Sequence, residues 1–395
     1  MVSNNKERAY LKSHPWITFK FDTRSLDYHT WILSGEAKSK YLHIIGAPLL
    51  PEVKKDLFQI ALAKGALATT AIEGNTLSVE EVERRIQGKL VLPPSKEYLG
   101  IEIDNIVNAY NKIGKMVLET NFTKPGVKNI MEFNKMVLEN LPLDEGVVPG
   151  EIRKYQVGVG RYRGAPVDDC EYLLERFVDW LNQDFPVQEG QKMVFGILKA
   201  IVSHLYFVWI HPFGDGNGRT ARLIEFQILL SVGVPAASAH LMSNHYNATR
   251  SEYYRQLDLS SKSNGDISSF IKYALQGFVD GLKDQIDTIQ NQQMFVHWVN
   301  HVHNTFADKD RTEDKRRRKL ILALSAQTGE IPVDEVRHIS SRIAEMYAGV
   351  SEKTVQRDVE KLLDLNLIVK DKKGIRPKWE LLSSFLSPSV ARNRS

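Results

Sequence analysis

Apolar residues recur at three- and four-residue spacing along most of this chain, and strand-like alternation is rare. The spacing predicts helices near 52–73, 78–87, 99–119, 126–140, 169–182, 190–209, 217–231, 250–260 and 266–290, with a connecting helix over 291–311. In "EVKKDLFQIALAKGALATT" the apolar positions include Val53, Leu57, Ile60, Ala61, Leu67 and Ala68. The exception is "RKYQVGVGRYRGAPV", 153–167, which alternates, is rich in glycine and ends in Ala-Pro. It predicts a short β-hairpin on a helical body, with the hairpin proper over 153–163. The greasy stretch "MVFGILKAIVSHLYFVWI" contains Lys199, Ser203 and His204, so it reads as a buried helix and not as a membrane span. A charged run, "ADKDRTEDKRRRK", precedes a separate small unit over 316–385.

With 395 residues the chain is long enough for two or three domains and a sizeable core. Its 43% hydrophobic and 25% charged content is that of an ordinary globular protein. The net charge of +4 is unevenly spread: residues 311–395 hold 18 Lys+Arg against 12 Asp+Glu, or +6, which leaves −2 for the rest. One cysteine, Cys170, excludes an intrachain disulfide and fits a reducing compartment. The opening "MVSNNKERAYLKSHPW" lacks the apolar core of a secretory signal, so the expectation is a cytoplasmic protein without a membrane partner.

The most informative stretch is "HPFGDGNGRTAR", 211–222, between two apolar helices. Gly214, Gly216 and Gly218 let the backbone take positive φ and approach a ligand closely. N–H groups of such a turn at a helix start converge on one place and bind anions. Arg219 and Arg222, three apart, share a face and suit a polyphosphate. Asp215 is a candidate Mg²⁺ ligand, and His211 a candidate base near neutral pH. This set serves phosphoryl or nucleotidyl transfer, and the missing "GK[ST]" ending excludes a Walker loop.

The stretch resembles the signature of Fic-domain proteins, H-P-F-x-[D/E]-G-N-G-R-x-x-R, at all nine specified positions, and the likeness extends over about residues 50–290. The resemblance implies a mainly α fold, a Fic-type helical core with a short β-hairpin flap. It implies transfer of AMP from ATP, with Mg²⁺, to a Tyr, Thr or Ser hydroxyl of a target protein. Carried onto matching positions, His211 deprotonates the hydroxyl and Asp215 holds Mg²⁺. Asn217, with the N–H groups of Gly216 and Gly218, stabilises the α-phosphate. Arg219 takes the β-phosphate, Arg222 the γ-phosphate, and Phe213 anchors the loop. Gln156, Val157 and Gly158 fall in the flap that pairs with an extended target segment. Tyr254, in "TRSEYYRQL", matches the position that contacts adenine, with core packing as its rival role. UMP or GMP transfer stays open, because base choice lies outside the loop.

"TTAIEGNT", 69–76, ends a helix with a carboxylate, which the helix dipole disfavours by about 0.3–1 kcal/mol. It resembles the family's inhibitory motif [S/T]-x-x-x-E-[G/N], with Thr69, Glu73 and Gly74 in place. The resemblance implies that Glu73 pairs with Arg222 and fills the γ-phosphate space. In some relatives the same glutamate directs water to remove AMP, so the direction of reaction stays open.

The expected division is an N-terminal helical region over 1–110 carrying the inhibitory helix at about 52–74, a catalytic core over 111–290, a connecting helix and linker over 291–315, and a C-terminal domain over 316–395. The last resembles a winged helix-turn-helix, with Val355, Val359 and Leu362 inside and Lys353, Gln356 and Arg357 outside. Glu352, Asp358 and Glu360 on that helix oppose phosphate, so a protein-interaction or dimer role is favoured over DNA. Self-modification and a homodimer are compatible with the sequence. The rival function is a DNA-binding regulator whose core senses ATP. His297 and His301 lie at zinc-helix spacing, but without a further ligand they read as structural.

Overall fold

Helices form where the apolar spacing places them, and local chemistry sets their ends. The computed structural model describes residues 8–120, 124–160, 162–183 and 190–382. Pro51 stands in the first turn of Pro51–Ala71, where its missing N–H costs nothing. Ser78 and Glu81 form a capping box that starts Val79–Ile86. Glu97–Thr120, Val127–Val137, Cys170–Leu181, Lys192–Ile210 and Asn217–Ser231 follow. The chain divides into two compact units, 1–287 and 288–395.

At the centre of the first unit Lys192–Ile210 packs along Asn217–Ser231, and most residues of both are buried. Lys192–Ile210 is long and apolar enough to cross a membrane, yet it is largely buried here. Pro51–Ala71 and Glu97–Thr120 pack on Asn217–Ser231 and on each other. The core thus holds the 211–216 turn between two buried helices, with the end of Pro51–Ala71 beside it.

Several elements depart from the expected spans. Tyr28–Gly46 is a helix that the spacing does not mark, because exposed Trp31, Ile32, Leu42 and Ile45 spread apolar residues round its surface. Leu241–Ala248 is likewise an unmarked helix. One helix, Ser268–Thr305, takes in what the pattern divides into 266–290 and a connecting helix. Pro51–Ala71 stops two residues short of 73, so Glu73 lies in the turn beyond the helix and not in its last turn. The hairpin pairs only Gly158–Val159 with Tyr162–Arg163, shorter than 153–163, and Arg161 lies outside the described residues. The approach to it is held by side chains instead: Gln156 Nε2 donates to the Gly164 carbonyl at 2.6 Å.

In the second unit, Thr312–Leu324, Ser341–Tyr347 and Glu352–Asp364 precede an antiparallel pair, Ile368–Lys370 with Ile375–Pro377. Val355, Val359 and Leu362 face inward, while Lys353, Gln356 and Arg357 are exposed. Asp358 does not face solvent beside them. It is fully buried, receiving Arg316 Nε at 2.6 Å, Arg317 Nε at 2.8 Å and the Tyr347 hydroxyl at 3.0 Å.

Candidate active site

His211 terminates Lys192–Ile210 in the left-handed region, φ 52°. For a side chain with a Cβ this is an uncommon conformation, and such strain concentrates at functional sites. The ring's Nδ1 lies 3.3 Å from the Val208 carbonyl. A carbonyl only accepts, so Nδ1 carries the proton and Nε2 keeps its lone pair. Burial pushes the imidazole pKa down to about 4, against smaller upward pulls from the Val208 carbonyl, Glu73 and Asp215. The ring is therefore neutral at pH 7, with the Nε2 lone pair available to accept a proton.

The loop is tied from within. Phe213 is buried, and Asn217 clasps its backbone in both directions, accepting from its N–H at 3.0 Å and donating to its carbonyl at 2.9 Å. The Asn217 side chain is thus committed to the loop, and what it offers a ligand is its backbone N–H. Of the three loop glycines only Gly216 has positive φ, 74°. It precedes Asn217–Ser231, whose first internal bond runs from Thr220 N–H to the Gly216 carbonyl, so the N–H groups of 217–219 form the open helix start. Gly218 serves by bareness: a Cβ there would stand 2.3 Å from Glu73 Oε1. The Glu73 carboxylate therefore rests against that helix start, where an anion is stabilised.

Glu73 Oε1 accepts from Arg222 Nη2 at 2.6 Å. The same Nη2 donates to the Thr69 carbonyl at 2.8 Å, and the Thr69 hydroxyl bonds the Tyr110 hydroxyl at 2.8 Å. Burial pushes the Glu73 carboxyl up, but the charge and hydrogen bond of Arg222, with Arg219 behind, carry it below its ordinary value. Both partners are ionised at pH 7. Arg219 bonds Glu102 Oε1 through Nη1 at 3.0 Å and Asp215 through Nη2 at 3.2 and 3.3 Å. A cavity of about 720 Å³ opens here, walled by Glu73, His211 and Asp215. Arg219 and Arg222 lie behind it, 5% and 1% exposed. Each arginine is thus covered by an acid on the pocket side.

Among the described residues no three His, Cys, Asp or Glu gather into a metal site. Asp258, a half-exposed acid on the pocket wall, is paired with Lys262, and on the loop Asp215 presents a half-exposed carboxylate, its side chain 51% open. That fits Mg²⁺ delivered on phosphate oxygens with most of its waters, and not a resident ion. Val157 and Gly158 line the pocket on the hairpin side, whereas Gln156 closes the hairpin base. Tyr254 lines the opposite side, half-buried, its hydroxyl 3.4 Å from the Ile72 carbonyl, with Tyr253 beside it. Gly74 turns the chain at φ 115°.

Four residues that sequence reasoning passed over complete the site. Arg153, buried, donates to the carbonyls of His211 at 2.7 Å, Tyr155 at 2.8 Å and Ala165, fastening hairpin to loop. Asn134, also buried, donates to the Asp215 carbonyl at 2.8 Å and accepts from Gly150 N–H at 2.9 Å. Glu102 holds Arg219, and Asn75 holds Glu102 through Nδ2 at 2.9 Å. Asn75 had a signal, its place directly after Glu73-Gly74. The other three look like ordinary surface polar residues in sequence.

Comparison with known proteins agrees with this geometry. Residues 124–229 match the profile of the Fic/DOC family. Protein adenylyltransferase fic-1 of Caenorhabditis elegans is 31% identical over 233 residues, 56% of this chain and 42% of that protein. Protein adenylyltransferase Fic of Drosophila willistoni is 31% identical over 212 residues, 52% of this chain and 38% of that one. The chain spans about two fifths of the length of these curated relatives. A solved Fic family protein from Desulfovibrio desulfuricans G20 aligns with TM-score 0.56 over 92% of this chain and 95% of its own at 20% identity, a likeness of fold.

Proposed function

We propose, from the match of residues 124–229 to the Fic/DOC family profile, that this chain is an autoinhibited protein adenylyltransferase. It transfers AMP from Mg-ATP to a Tyr, Thr or Ser hydroxyl of a protein. The observation that carries the reading is the meeting, at one pocket, of a neutral imidazole and an open helix start, with two arginines directly behind its wall, each covered by an acid.

In the reaction His211 Nε2 takes the proton of the incoming hydroxyl as its oxygen attacks the α-phosphorus. The bond from the α-phosphorus to the bridging oxygen breaks, and pyrophosphate carries away the electron pair. The N–H groups of 217–219 receive the growing negative charge on the α-phosphate. Arg219 and Arg222 hold the β- and γ-phosphates, and Asp215 would hold Mg²⁺ carried on them, whose charge would screen the phosphate oxygens. The hairpin edge, fastened by Arg153, aligns an extended target segment by backbone pairing. Glu73 stands where the γ-phosphate must go, so nucleotide binds productively only when the Glu73–Arg222 pair opens. Incubating Glu73→Gly with α-labelled ATP and candidate target proteins tests the reading. Label on protein that disappears with His211→Ala supports it, and no label in either variant refutes it.

A second reading concerns the unit 288–395, which we read as a winged helix-turn-helix. Asp358 points inward, so one of the acids that oppose phosphate is absent from the exposed face with Lys353, Gln356 and Arg357. That favours DNA contact more than the sequence does, although Glu352 and Glu360 remain exposed. Salt-sensitive DNA binding lost on Arg357→Ala supports it, and binding unaffected by that change refutes it.

A further inference from the structure

The two arginines of the loop are held by different means. Among the described residues Arg222 has one acidic partner, Glu73, on the pocket wall. Arg219 has two, on opposite sides: Asp215 lines the pocket, while Glu102, on Glu97–Thr120, lies behind it with its side chain 14% exposed. The two bonds leave from different nitrogens, Nη1 to Glu102 and Nη2 to Asp215. If a phosphate-borne cation engages Asp215, that carboxylate releases Nη2, and only the Glu102 bond still fixes the guanidinium. A planar guanidinium held at one edge presents its other edge in a set direction, which a free arginine does not.

Glu102 is itself held. Its Oε2 accepts from Asn75 Nδ2 at 2.9 Å, and the same Nδ2 donates to the Leu99 carbonyl at 2.9 Å. The Asn75 Oδ1 accepts from Leu77 N–H at 3.1 Å, so the amide is locked in one orientation. Asn75 follows Glu73 by two residues. One turn thus reaches both arginines, Glu73 touching Arg222 directly and Asn75 touching Arg219 through Glu102.

We propose that Glu102 is the positioning residue for Arg219, anchoring its inner edge so that the outer edge meets the β-phosphate, and that Asn75 ties this anchor to the turn carrying Glu73. The proposal rests on the adenylyltransferase reading. The test compares ligands with and without a β-phosphate in the full chain carrying Glu73→Gly. Mg-ADP and AMP affinities are measured by calorimetry for Glu73→Gly alone and with Glu102→Gln, Glu102→Asp or Asn75→Ala added. The expected result is that Glu102→Gln weakens Mg-ADP about tenfold, the loss of a charge-assisted bond, and leaves AMP within about twofold. Glu102→Asp restores part of the preference, and Asn75→Ala gives a smaller loss in the same direction. Those two variants carry the test if Glu102→Gln does not fold. A merely structural Glu102 would weaken both ligands alike, and that result overturns the proposal. If Glu73→Gly prefers Mg-ADP and the added changes leave the preference intact, the positioning role falls while the adenylyltransferase reading stands. If Glu73→Gly shows no preference, both fall.

Discussion

Replacing Glu73 by glycine removes the carboxylate that competes with the triphosphate, and the structure bounds the effect. The pair is a single charge-assisted bond of 2.6 Å between Glu73, 31% exposed, and a fully buried Arg222 side chain. Hydrogen bonds to charged groups contribute about 1.5–3 kcal/mol, and partial exposure of Glu73 places this one in the lower half, about 1.5–2 kcal/mol. At 1.4 kcal/mol per factor of ten, Mg-ATP should bind about 10–30-fold more tightly to Glu73→Gly. The same change should destabilise the empty protein. Arg222 keeps the Thr69 carbonyl, but among the described residues its Nε and Nη1 have no hydrogen-bond partner, so losing Glu73 leaves a buried charge poorly matched. A cost of about 1–3 kcal/mol lowers Tm by roughly 2–4 °C per kcal/mol. Mg-ATP, supplying phosphate oxygens to Arg222, should recover that loss. Titration calorimetry and thermal unfolding with and without Mg-ATP read both effects. Unchanged affinity together with unchanged Tm would refute the claim that Glu73 competes for Arg222.

Other consequences concern other groups. Because burial holds the His211 pKa at about 4, the base is neutral throughout the ordinary range, and single-turnover kcat/KM should be flat from pH 8 to about pH 6 and fall only as pH approaches that value. A fall centred near 6.5 would mean the ring is not desolvated. Arg153→Met severs three carbonyl contacts between loop and hairpin, so KM for a protein target should rise while Mg-ATP affinity stays within about twofold. Asp358→Asn removes the buried countercharge of Arg316 and leaves Arg317 with Asp314 only, and calorimetry should show unfolding of the second unit destabilised by about 3 kcal/mol.

What could be read from sequence was local. Helices appear wherever apolar spacing repeats, and the loop announces itself because glycines, arginines, Asp215 and His211 stand within twelve residues. Glu73 stood out because the sequence sets it in conflict with a helix end, although in the structure it lies beyond that end, and the motif resemblance supplied Arg222 as its cation. Glu102 has no such conflict. It looks like one more charge on an amphipathic helix, and its partner Arg219 is 117 positions away. Arg153 was hidden for a related reason: its partners are backbone carbonyls, which leave no mark in residue type. Tyr28–Gly46 escaped because a helix with exposed Trp31, Ile32, Leu42 and Ile45 loses the contrast that periodicity needs. The open loop geometry was also simpler in prospect than in fact, since one glycine takes positive φ and another makes room for a carboxylate.

Transfer itself is the most direct measurement. The wild-type chain, Glu73→Gly and Glu73→Gly with His211→Ala are each incubated with Mg²⁺, ATP labelled at the α-phosphate and a protein mixture, and acid-precipitable label is counted. The account predicts strong labelling by Glu73→Gly, weak labelling by wild type and none by the double variant. Equal labelling by all three, or none by any, would contradict it.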